Sequence, residues 1–373
     1  MDVEHLLARL VRWPTISSRP VAGIIGELAD LLDQVGMRVE RLATDADGKS
    51  CLVCTAGPAG TDGVILSGHL DVVPVEGQPW TSDPFTLTRR GDRLFGRGSC
   101  DMKGFVAATV AALARRPPRD LTHELMLIFT YDEEIGCLGS RRLADSFSEA
   151  GRPTPTLALV GEPTSFQILR MHPGHAAARI TCRGRAAHSS KPDLGNNAIR
   201  LASRVLDQLE GIALEWRADR RFEDLLERPF VVMNVATIHG GSAINIVPDR
   251  CVIELGFRPL PGMDPAALFE QIQERVEALG EVTAELVRVT PALLTPEGTA
   301  LEAVLRPFAG DPRLGAAAFA TDGGNFERIG VRTLVFGPGS IDVAHKADEF
   351  VPVAELHRAV DVVDEVVSRR CRS

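Results

Sequence analysis

One stretch of sequence decides the fold, residues 125–134, which reads LMLIFTYDEE. Its five apolar residues, 125–129, predict a short strand that is buried on both faces, as in a parallel sheet. Asp132, Glu133 and Glu134 follow at the carboxyl end of that strand. Carboxylates that crowd together in a dry crevice repel one another unless a cation lies between them. The stretch therefore predicts a buried parallel strand that ends at a cation site.

The same pattern of a buried strand followed by polar side chains recurs elsewhere in the chain. The strands and their polar residues are 64–66 with His69 and Asp71, 157–160 with Glu162, and 333–336 with a glycine-rich loop and then His345. Open α/β sheets bind ligands at the carboxyl ends of their strands. We therefore expect these side chains to converge on one metal site.

Length and composition limit the class of protein. At 373 residues, with 45% hydrophobic and 24% charged residues, the chain has the composition of a soluble globular protein and room for two domains. Its 41 basic residues are outnumbered by 50 acidic ones and form no basic stripe, so nucleic acid is not an expected partner. No apolar run reaches the ~18 residues of a membrane span, so no membrane association is expected.

The N-terminus and the cysteines predict a cytoplasmic location. Residues 1–7 carry acidic side chains where a secretory signal has basic residues and an apolar block. The seven cysteines are irregularly spaced, unlike a disulfide framework. Cys51 and Cys54 have no second pair to complete a thiolate zinc site, and we interpret them as buried thiols.

The order of predicted elements indicates an inserted domain. Residues 1 to about 170 alternate helices and strands, which predicts an α/β fold with a mostly parallel mixed sheet flanked by helices. The segments that follow are a strand at 177–182, a helix at 198–209, strands at 230–238 and 251–257, a helix at 265–279 and a strand at 282–289. This βαββαβ order is that of a ferredoxin-like α+β domain. We therefore predict a discontinuous metal-site domain, 1–174 and 291–373, interrupted by an inserted domain, 175–290.

Each candidate ligand is weak when taken singly. His69 alone could be a structural histidine, and Asp101, in a glycine-rich turn, could be the N-cap of the helix that follows. Glu162 could be an ordinary turn residue, and adjacent acids such as Glu133 and Glu134 are usually solvated. The joint pattern changes the interpretation, because two histidines and several carboxylates each lie beside a buried strand or a glycine-rich turn.

Imidazole and carboxylate ligands without thiolate suit zinc, with cobalt or manganese as substitutes. Two histidines and three carboxylates are more ligands than one open catalytic zinc uses, so two metals that share a bridging carboxylate account better for the number. One acid must stay unligated to move a proton. Of Glu133 and Glu134, one is expected to be a ligand and the other the base, and sequence order leaves open which.

Four strings carry a family resemblance: 67–74 (SGHLDVVP), 96–104 (GRGSCDMKG), 131–139 (YDEEIGCLG) and 161–164 (GEPT). They resemble the dinuclear zinc deacylase and exopeptidase family, which includes acetylornithine deacetylases, succinyl-diaminopimelate desuccinylases, aminoacylases and glutamate carboxypeptidases. The resemblance covers essentially the whole chain. It implies a hydrolase that cleaves the amide of an N-acyl-L-amino acid.

The resemblance also implies roles for individual residues. These are His69 and Glu162 on one zinc, Glu134 and His345 on the other, Asp101 bridging both, Glu133 as the general base and Asp71 orienting His69. Family members hold a cis peptide after the bridging aspartate, which here is the bond from Asp101 to Met102.

Strings 131–139, 161–165 and 337–341 match the acetylornithine deacetylase branch best, which implies N-acetyl-L-ornithine as substrate and a role in arginine biosynthesis. Pro173 stands where that branch usually has lysine. The alternatives are a sibling enzyme for N-acetylcitrulline, N-succinyl-diaminopimelate or a dipeptide, and a non-catalytic metal-stabilised binding protein.

In the predicted inserted domain, His188 could be a plain loop histidine, and Arg258 could form a surface salt bridge. The resemblance implies instead that His188 reaches the active site across a homodimer interface built by the inserted domain and hydrogen-bonds the developing oxyanion. It also implies that Asn245 and Arg258 hold the substrate carboxylate, which suits the bidentate fork of arginine. The backbone amides around Gly339 are expected to help bind substrate.

Overall fold

The computed structural model describes residues 1–17 and 19–372, which form two compact units. Unit 1 consists of Met1–Met171, Leu293–Ala316 and Thr321–Ser373. Unit 2 consists of His172–Ala292 and the short segment Ala317–Ala320. Unit 1 is thus built from stretches of chain on both sides of the long segment that forms unit 2.

The larger unit contains most of the strands and helices. Its strands are β1 (Arg38–Leu42), β2 (Cys51–Ala56), β3 (Gly63–His69), β4 (Thr88–Arg90), β5 (Arg93–Phe95), β6 (Glu124–Thr130), β7 (Leu157–Val160), β8 (Leu169–His172, which ends at the boundary with unit 2), β13 (Leu293–Leu294), β14 (Gly315–Ala316), β15 (Arg332–Val335) and β16 (Phe350–Pro352). Its α-helices are α1 (Val3–Val11), α2 (Ala22–Gln34), α3 (Lys103–Arg115), α4 (Leu138–Ala150), α7 (Ala300–Leu305), α8 (Gly323–Glu327) and α9 (Val353–Cys371), and a 3₁₀ turn covers Arg306–Phe308.

The main sheet of unit 1 has the order β1-β2-β6-β3-β7-β15-β8-β13, with β14 paired to β8. Strands β6, β3, β7 and β15 run parallel to one another at its centre. Strands β3, β6 and β7 are buried along their whole length, as apolar runs without alternation predict. The predicted mostly parallel mixed sheet is confirmed, and the carboxyl ends of its central strands lie along one edge.

Helix α3 follows the glycine-rich turn that contains Asp101 and is buried along most of its length. Small residues such as Ala107 and Ala111 let it pack closely against α1, α9 and β3. Its N-cap position is Met102, and no side chain caps it. The carboxylate of Asp101 is therefore not used as a helix cap.

A small antiparallel sheet in unit 1 joins distant parts of the chain. Its order is β16-β5-β4, and Phe350 pairs with Phe95. The pairing brings Glu349, which precedes β16, beside Arg97, which follows β5; their side chains form a buried ion pair. The sheet thus fixes the chain next to Asp101.

The smaller unit has the elements β9 (His175–Arg183), α5 (Ala198–Ala218), β10 (Val232–Gly240), β11 (Arg250–Arg258), α6 (Pro265–Glu277) and β12 (Val282–Thr290), with a 3₁₀ turn at Pro192–Leu194. The antiparallel sheet order is β10-β11-β9-β12. Residues that alternate along β9 and β11 pack against α5 and α6 in one apolar core. The predicted ferredoxin-like βαββαβ order is confirmed.

Helix α5 is longer than the predicted helix, which ended at Leu209. Ile212 and Trp216 continue the helical spacing of buried residues, and they bury their side chains in the core of unit 2. All seven cysteines are buried free thiols. Across the described ranges, no helix has both the length and the apolar character needed to span a bilayer.

Candidate metal centre

The predicted ligands of unit 1 gather at the carboxyl edge of its main sheet. His69 is the last residue of β3, Glu133 and Glu134 follow β6, and Glu162 follows β7. Glu162 approaches α3 closely because Gly161 precedes it: a Cβ at Gly161 would lie 1.9 Å from the ring of Phe105. Parallel pairing of these strands therefore brings residues far apart in sequence to one place.

Asp101 lies between two groups of ligands. Its Oδ1 is 3.0 Å from Nε2 of His69, and its Oδ2 is 3.2 Å from Nε2 of His345. Glu162 completes the first group, with Oε1 at 3.9 Å from His69 Nε2. Glu134 completes the second, with Oε2 at 2.9 Å from His345 Nε2. One carboxylate thus offers an oxygen to each of two histidines.

Within each group the potential ligand atoms all lie within 4.8 Å of one another. Each group joins one imidazole to carboxylates, without thiolate, a donor set that fits zinc and the other divalent transition metals. The arrangement fits two metal ions that share Asp101, the number that the sequence predicted.

The acidic groups of the centre repel one another. Burial, followed by the negative charge of Asp101, raises the pKa of Glu134 to about 7 and that of Glu162 well above its ordinary value. Hydrogen bonds with Asp101 and Glu134 raise the pKa of His345 to about 10. For His69, burial acts to lower the pKa, but the carboxylates around it outweigh burial and raise it. Burial and the neighbouring negative charges thus act together on the two glutamates, whereas on the two histidines the carboxylates act against burial.

Asp101 itself shows the opposite shift. Burial acts to raise its pKa, but hydrogen bonds from His345 and His69 outweigh burial and leave the pKa below its ordinary value. The carboxylate between the two histidines is therefore held ionised, as a bridging ligand needs to be. The peptide bond from Asp101 to Met102 is cis, as the family resemblance implied.

The Asp71 side chain contacts the loop after β6 rather than His69. Its Oδ1 accepts a hydrogen bond from the backbone N–H of Glu133 at 3.0 Å, and its Oδ2 accepts from Glu134 N–H at 3.2 Å and from the Ser17 hydroxyl at 2.8 Å. His69 Nδ1 lies 2.9 Å from the backbone carbonyl oxygen of Asp71 but 3.7 Å from its carboxylate. The backbone of Asp71 thus orients the imidazole, while its carboxylate positions the two glutamates.

Glu133 stands apart from both ligand groups. The thiol of Cys137 donates to Glu133 Oε1 at 3.4 Å, and Asp322 completes a separate cluster with them. Asp322 accepts hydrogen bonds from the hydroxyls of Thr130 at 2.6 Å and Ser140 at 2.5 Å. Those hydroxyls hold both oxygens of Asp322, and the cluster lacks Asp101, the carboxylate that the other two groups share.

Three residues beside the centre were missed by sequence reasoning: Asp322, Glu349 and Gln78. Asp322 follows no predicted strand, and Glu349 precedes a strand of only three residues. Glu349 Oε1 accepts hydrogen bonds from the backbone N–H groups of Cys100 and Asp101, both at 3.0 Å. Gln78 Nε2 donates to the backbone carbonyl of His345 at 3.0 Å. No periodicity in the sequence signals contacts of this kind.

Gly339 lies in unit 1 with φ +83°, and a Cβ there would lie 2.4 Å from Cys100 Sγ. Its N–H donates to Glu355 Oε2 at 2.7 Å, and its carbonyl accepts from Ser165 N–H at 2.6 Å. Glu355 thus engages the Gly339 N–H, and the expected role of the loop's backbone amides in binding substrate stays a prediction.

The other predicted substrate residues belong to unit 2. His188 and Asn245 are exposed in neighbouring loops, and Ser189 N–H donates to the Asn245 carbonyl at 3.0 Å. Arg258 ends β11 and is partly buried, and burial lowers its pKa from the ordinary value. No carboxylate among the described residues forms a salt bridge with Arg258. His188 and Asn245 thus lie together, and Arg258 lies at the end of the sheet.

Comparison with known proteins identifies the family. The model of peptidase family M20/M25/M40 matches residues 65–369. An acetylornithine deacetylase of Myxococcus xanthus is 34% identical over 383 residues, which cover 98% of this chain and 96% of that protein. An acetylornithine deacetylase of Proteus mirabilis (strain HI4320) is 32% identical over 381 residues, with 98% and 96% covered.

Solved structures share the fold. The M20 family metallo-carboxypeptidase Sso-CP2 from Sulfolobus solfataricus superposes with a TM-score of 0.79 at 18% identity, covering 98% of this chain and 99% of that one. Aminopeptidase PepT from Bacillus cereus ATCC 10987 gives a TM-score of 0.75 at 20% identity, with 99% of each chain covered. With a family match over most of its length and a centre suited to two metals, this chain belongs to peptidase family M20/M25/M40 and is a metal-dependent hydrolase.

Proposed function

We propose that this chain hydrolyses the amide bond of an N-acyl-L-amino acid, and that its substrate is N-acetyl-L-ornithine, which yields L-ornithine and acetate. The observation that carries the hydrolytic part is the position of Asp101, with one carboxylate oxygen toward His69 and the other toward His345. The choice of substrate is supported by the full-length relatives at 32% and 34% identity, which are acetylornithine deacetylases.

In this proposal His69 and Glu162 hold one zinc ion, Glu134 and His345 hold the other, and Asp101 binds both. Two such ions polarise the scissile carbonyl and lower the pKa of a water molecule. The same ligands also suit cobalt and manganese. This assignment is supported by the division of the potential ligands into two groups that share the carboxylate of Asp101.

Glu133 is the proposed general base. It follows β6 beside Glu134 but belongs to neither ligand group, so its carboxylate is left to take a proton from water and deliver it to the leaving amine. Asp71 holds the Glu133 backbone by accepting its N–H. The Cys137 thiol holds one carboxylate oxygen.

His188 is the proposed oxyanion donor. The Ser190 backbone N–H donates to His188 Nδ1 at 3.2 Å, which makes Nδ1 an acceptor. A neutral imidazole then carries its proton on Nε2, which can donate to a developing oxyanion. Because His188 is exposed in unit 2, its ring nitrogen is available to another chain.

The proposal includes a homodimer formed through unit 2. Strand β10 is an edge of the unit 2 sheet, and an edge strand offers unpaired backbone groups to a second copy. Large apolar side chains are exposed on this strand, in the loop that follows it and in the first turn of α5, at Val235, Ile238, Ile244, Ile246 and Ile199. Exposed apolar groups around a free strand edge are typical of a surface that pairs with a partner.

The proposed substrate carboxylate is held by Arg258 and Asn245. Arg258 is a partly buried cation that forms no salt bridge with a described residue, so an anionic ligand would compensate its desolvation. A cytoplasmic role in arginine biosynthesis completes the proposal. The seven buried free thiols fit a reducing compartment.

A substrate panel tests the function. Metal-free protein is loaded with two equivalents of Zn²⁺ or Co²⁺ and assayed with N-acetyl-L-ornithine, N-acetyl-L-citrulline, N-succinyl-diaminopimelate and dipeptides. We expect the highest kcat/KM with N-acetyl-L-ornithine and loss of activity on chelation. If another compound of the panel gives a higher kcat/KM, that compound becomes the proposed substrate in place of N-acetyl-L-ornithine. Full activity of the metal-free protein would overturn the metal-dependent mechanism.

A further inference from the structure

The two histidines of the metal centre are supported in different ways. His69 ends a buried strand and is held by the pairing of β3 with β6. His345 lies in a turn, its side chain is 51% exposed, and its φ is +63°, a conformation that L-residues seldom adopt. A ligand on such a turn needs contacts from elsewhere to hold its position.

The contact that holds His345 comes from Gln78. Its Nε2 donates to the His345 backbone carbonyl at 3.0 Å. Its Oε1 accepts from Arg97 Nη2 at 2.6 Å and from Trp80 Nε1 at 3.1 Å. Both polar atoms of the amide are therefore engaged, which fixes the orientation of the side chain.

Arg97 connects Gln78 to the other end of the centre. Its guanidinium is buried, lies 5.1 Å from the ring centroid of Trp80, and donates through Nη1 to Glu349 Oε2 at 2.6 Å. The other oxygen of Glu349 accepts the backbone N–H groups of Cys100 and Asp101. An unbroken path of hydrogen bonds thus runs from the backbone of His345 to that of Asp101.

We propose that Gln78, Arg97 and Glu349 form a positioning relay, which sets the metal site made by Asp101, Glu134 and His345. This inference rests on the proposed two-metal centre. Hydrogen bonds behind metal ligands orient those ligands, and their loss typically costs about 10- to 100-fold in metal affinity. Asp101 belongs to both sites, but only the second site contains His345, the ligand that Gln78 contacts. The first site depends less on Gln78, because its other ligands, His69 and Glu162, lie at or just after the ends of β3 and β7.

The substitution Gln78→Glu isolates the contact with His345. Glutamate keeps an oxygen to accept from Arg97 and Trp80, and adds a charge that favours Arg97. It replaces the amide donor by a carboxylate oxygen, which repels the His345 carbonyl. If Gln78 only holds Arg97 in place, the Gln78→Glu variant keeps that function. If Gln78 positions His345, the variant loses that function.

The experiment is a titration of metal-free protein with Co²⁺, followed by the visible d–d absorption and by calorimetry. Wild type is expected to bind two equivalents. The Gln78→Glu variant is expected to bind one equivalent as wild type does and the other about 10- to 100-fold more weakly. Gln78→Met, which removes every hydrogen bond of this side chain, is expected to weaken the same equivalent.

Gln271→Glu is the matched control. Gln271 Oε1 accepts from Trp216 Nε1 at 2.8 Å, as Gln78 accepts from Trp80, but it lies in unit 2. This variant is expected to bind both equivalents as wild type does. The double variant Gln78→Glu/His345→Ala is expected to bind metal no more weakly than His345→Ala, because both changes act on one site.

The outcomes separate this inference from the function on which it rests. If Gln78→Glu binds both equivalents as tightly as wild type, or loses affinity equally for both, the relay is overturned and the two-metal centre stands. If wild type itself binds fewer than two equivalents, the two-metal centre fails and the relay fails with it. Melting temperatures of the metal-free variants identify any that do not fold. If Gln78→Glu does not fold, the Co²⁺ titration of Gln78→Met tests the relay in its place.

Discussion

The carboxylate of Asp71 accepts a hydrogen bond from the backbone N–H of Glu133 at 3.0 Å. Both residues are fixed by strands, since Asp71 follows β3 and Glu133 follows β6, and those two strands are parallel neighbours. The hydrogen bond therefore links the residues that follow the carboxyl end of β3 to the proposed base, which follows the carboxyl end of β6. Asp71 thus has two separate roles. Its carboxylate positions Glu133, whereas its backbone carbonyl lies against the imidazole of His69.

The first prediction concerns Asp71→Asn. One of its two acceptor oxygens becomes an amide donor, which faces a backbone N–H of Glu133 or Glu134 and pushes the loop away. Since displacement of a catalytic group by 1 Å costs about 100-fold, we expect kcat to fall about 100-fold with KM little changed. Co²⁺ stoichiometry is expected to stay at the wild-type value, because the Asp71 carbonyl near His69 is retained. Loss of a metal equivalent would show that the carboxylate orients His69 after all.

The second prediction compares the same substitution at neighbouring positions. Glu133→Gln removes the proposed base and is expected to lower kcat/KM by roughly 10²–10⁴-fold with metal binding unchanged. Glu134→Gln removes a negatively charged ligand and is expected to weaken one Co²⁺ equivalent. Steady-state kinetics and metal titration on both variants check the assignment. The reverse pattern, with metal loss in Glu133→Gln, would exchange the two roles.

The buried strands and the ligand positions could be predicted from sequence for one physical reason. An apolar run of about 4–8 residues without alternation is shorter than a typical buried helix and is consistent with a strand covered on both faces, and parallel pairing places the carboxyl ends of such strands together. His69, Glu134 and Glu162 each lie within five residues of the end of such a run. These residues converge because the strands that precede them, β6, β3 and β7, are neighbours in the sheet.

The supporting residues could not be predicted in this way. Glu349 reaches Asp101 because the three-residue strand β16 pairs with β5, which is equally short. Such short strands carry no periodicity, and the contact joins residues far apart in the chain. The resemblance implies that Asp71 orients His69, but only the geometry of the side chain shows that its backbone carbonyl, and not its carboxylate, lies at hydrogen-bond distance from the imidazole.

The third prediction tests the proposed sharing of His188 between subunits. His188→Ala and Glu133→Gln are each expected to be nearly inactive, because every site then lacks its oxyanion donor or its base. Co-expression of the two variants with different tags produces mixed dimers. In a mixed dimer one site combines Glu133 of one chain with His188 of the other, so about a quarter of wild-type activity is expected in the pool.

The control for this mixing is a second pair of variants. When Glu133→Gln is co-expressed with Glu134→Gln, each chain carries a defect in its own metal centre, so no mixed dimer has an intact site. We expect that pool to remain inactive. If the His188→Ala pool also remains inactive although mixed dimers are isolated, each chain uses its own His188. Wild-type activity of His188→Ala alone would show that the residue is not used.

The fourth prediction concerns acid stability and His172. This residue is fully buried, its Nδ1 is 3.0 Å from the Pro173 carbonyl oxygen, and burial, followed by the charge of Arg258, lowers its pKa to about 4. The unfolded chain has an ordinary histidine pKa near ~6.5, so it binds this proton first as pH falls. Stability is therefore lost between about pH 6.5 and 4 and is unaffected by this group above that window, with a total of about 3 kcal/mol.

Urea unfolding of the metal-free protein at several pH values measures this loss. His172→Asn keeps a side-chain donor near Pro173 but has no proton to gain. We expect the variant to be less stable than wild type at pH 7, because it fills the buried site less completely. Its stability should nevertheless fall less steeply between pH 6.5 and 4, so that the two free-energy curves approach each other in acid. Parallel curves across this window would mean that His172 gains its proton in the folded chain as readily as in the unfolded one.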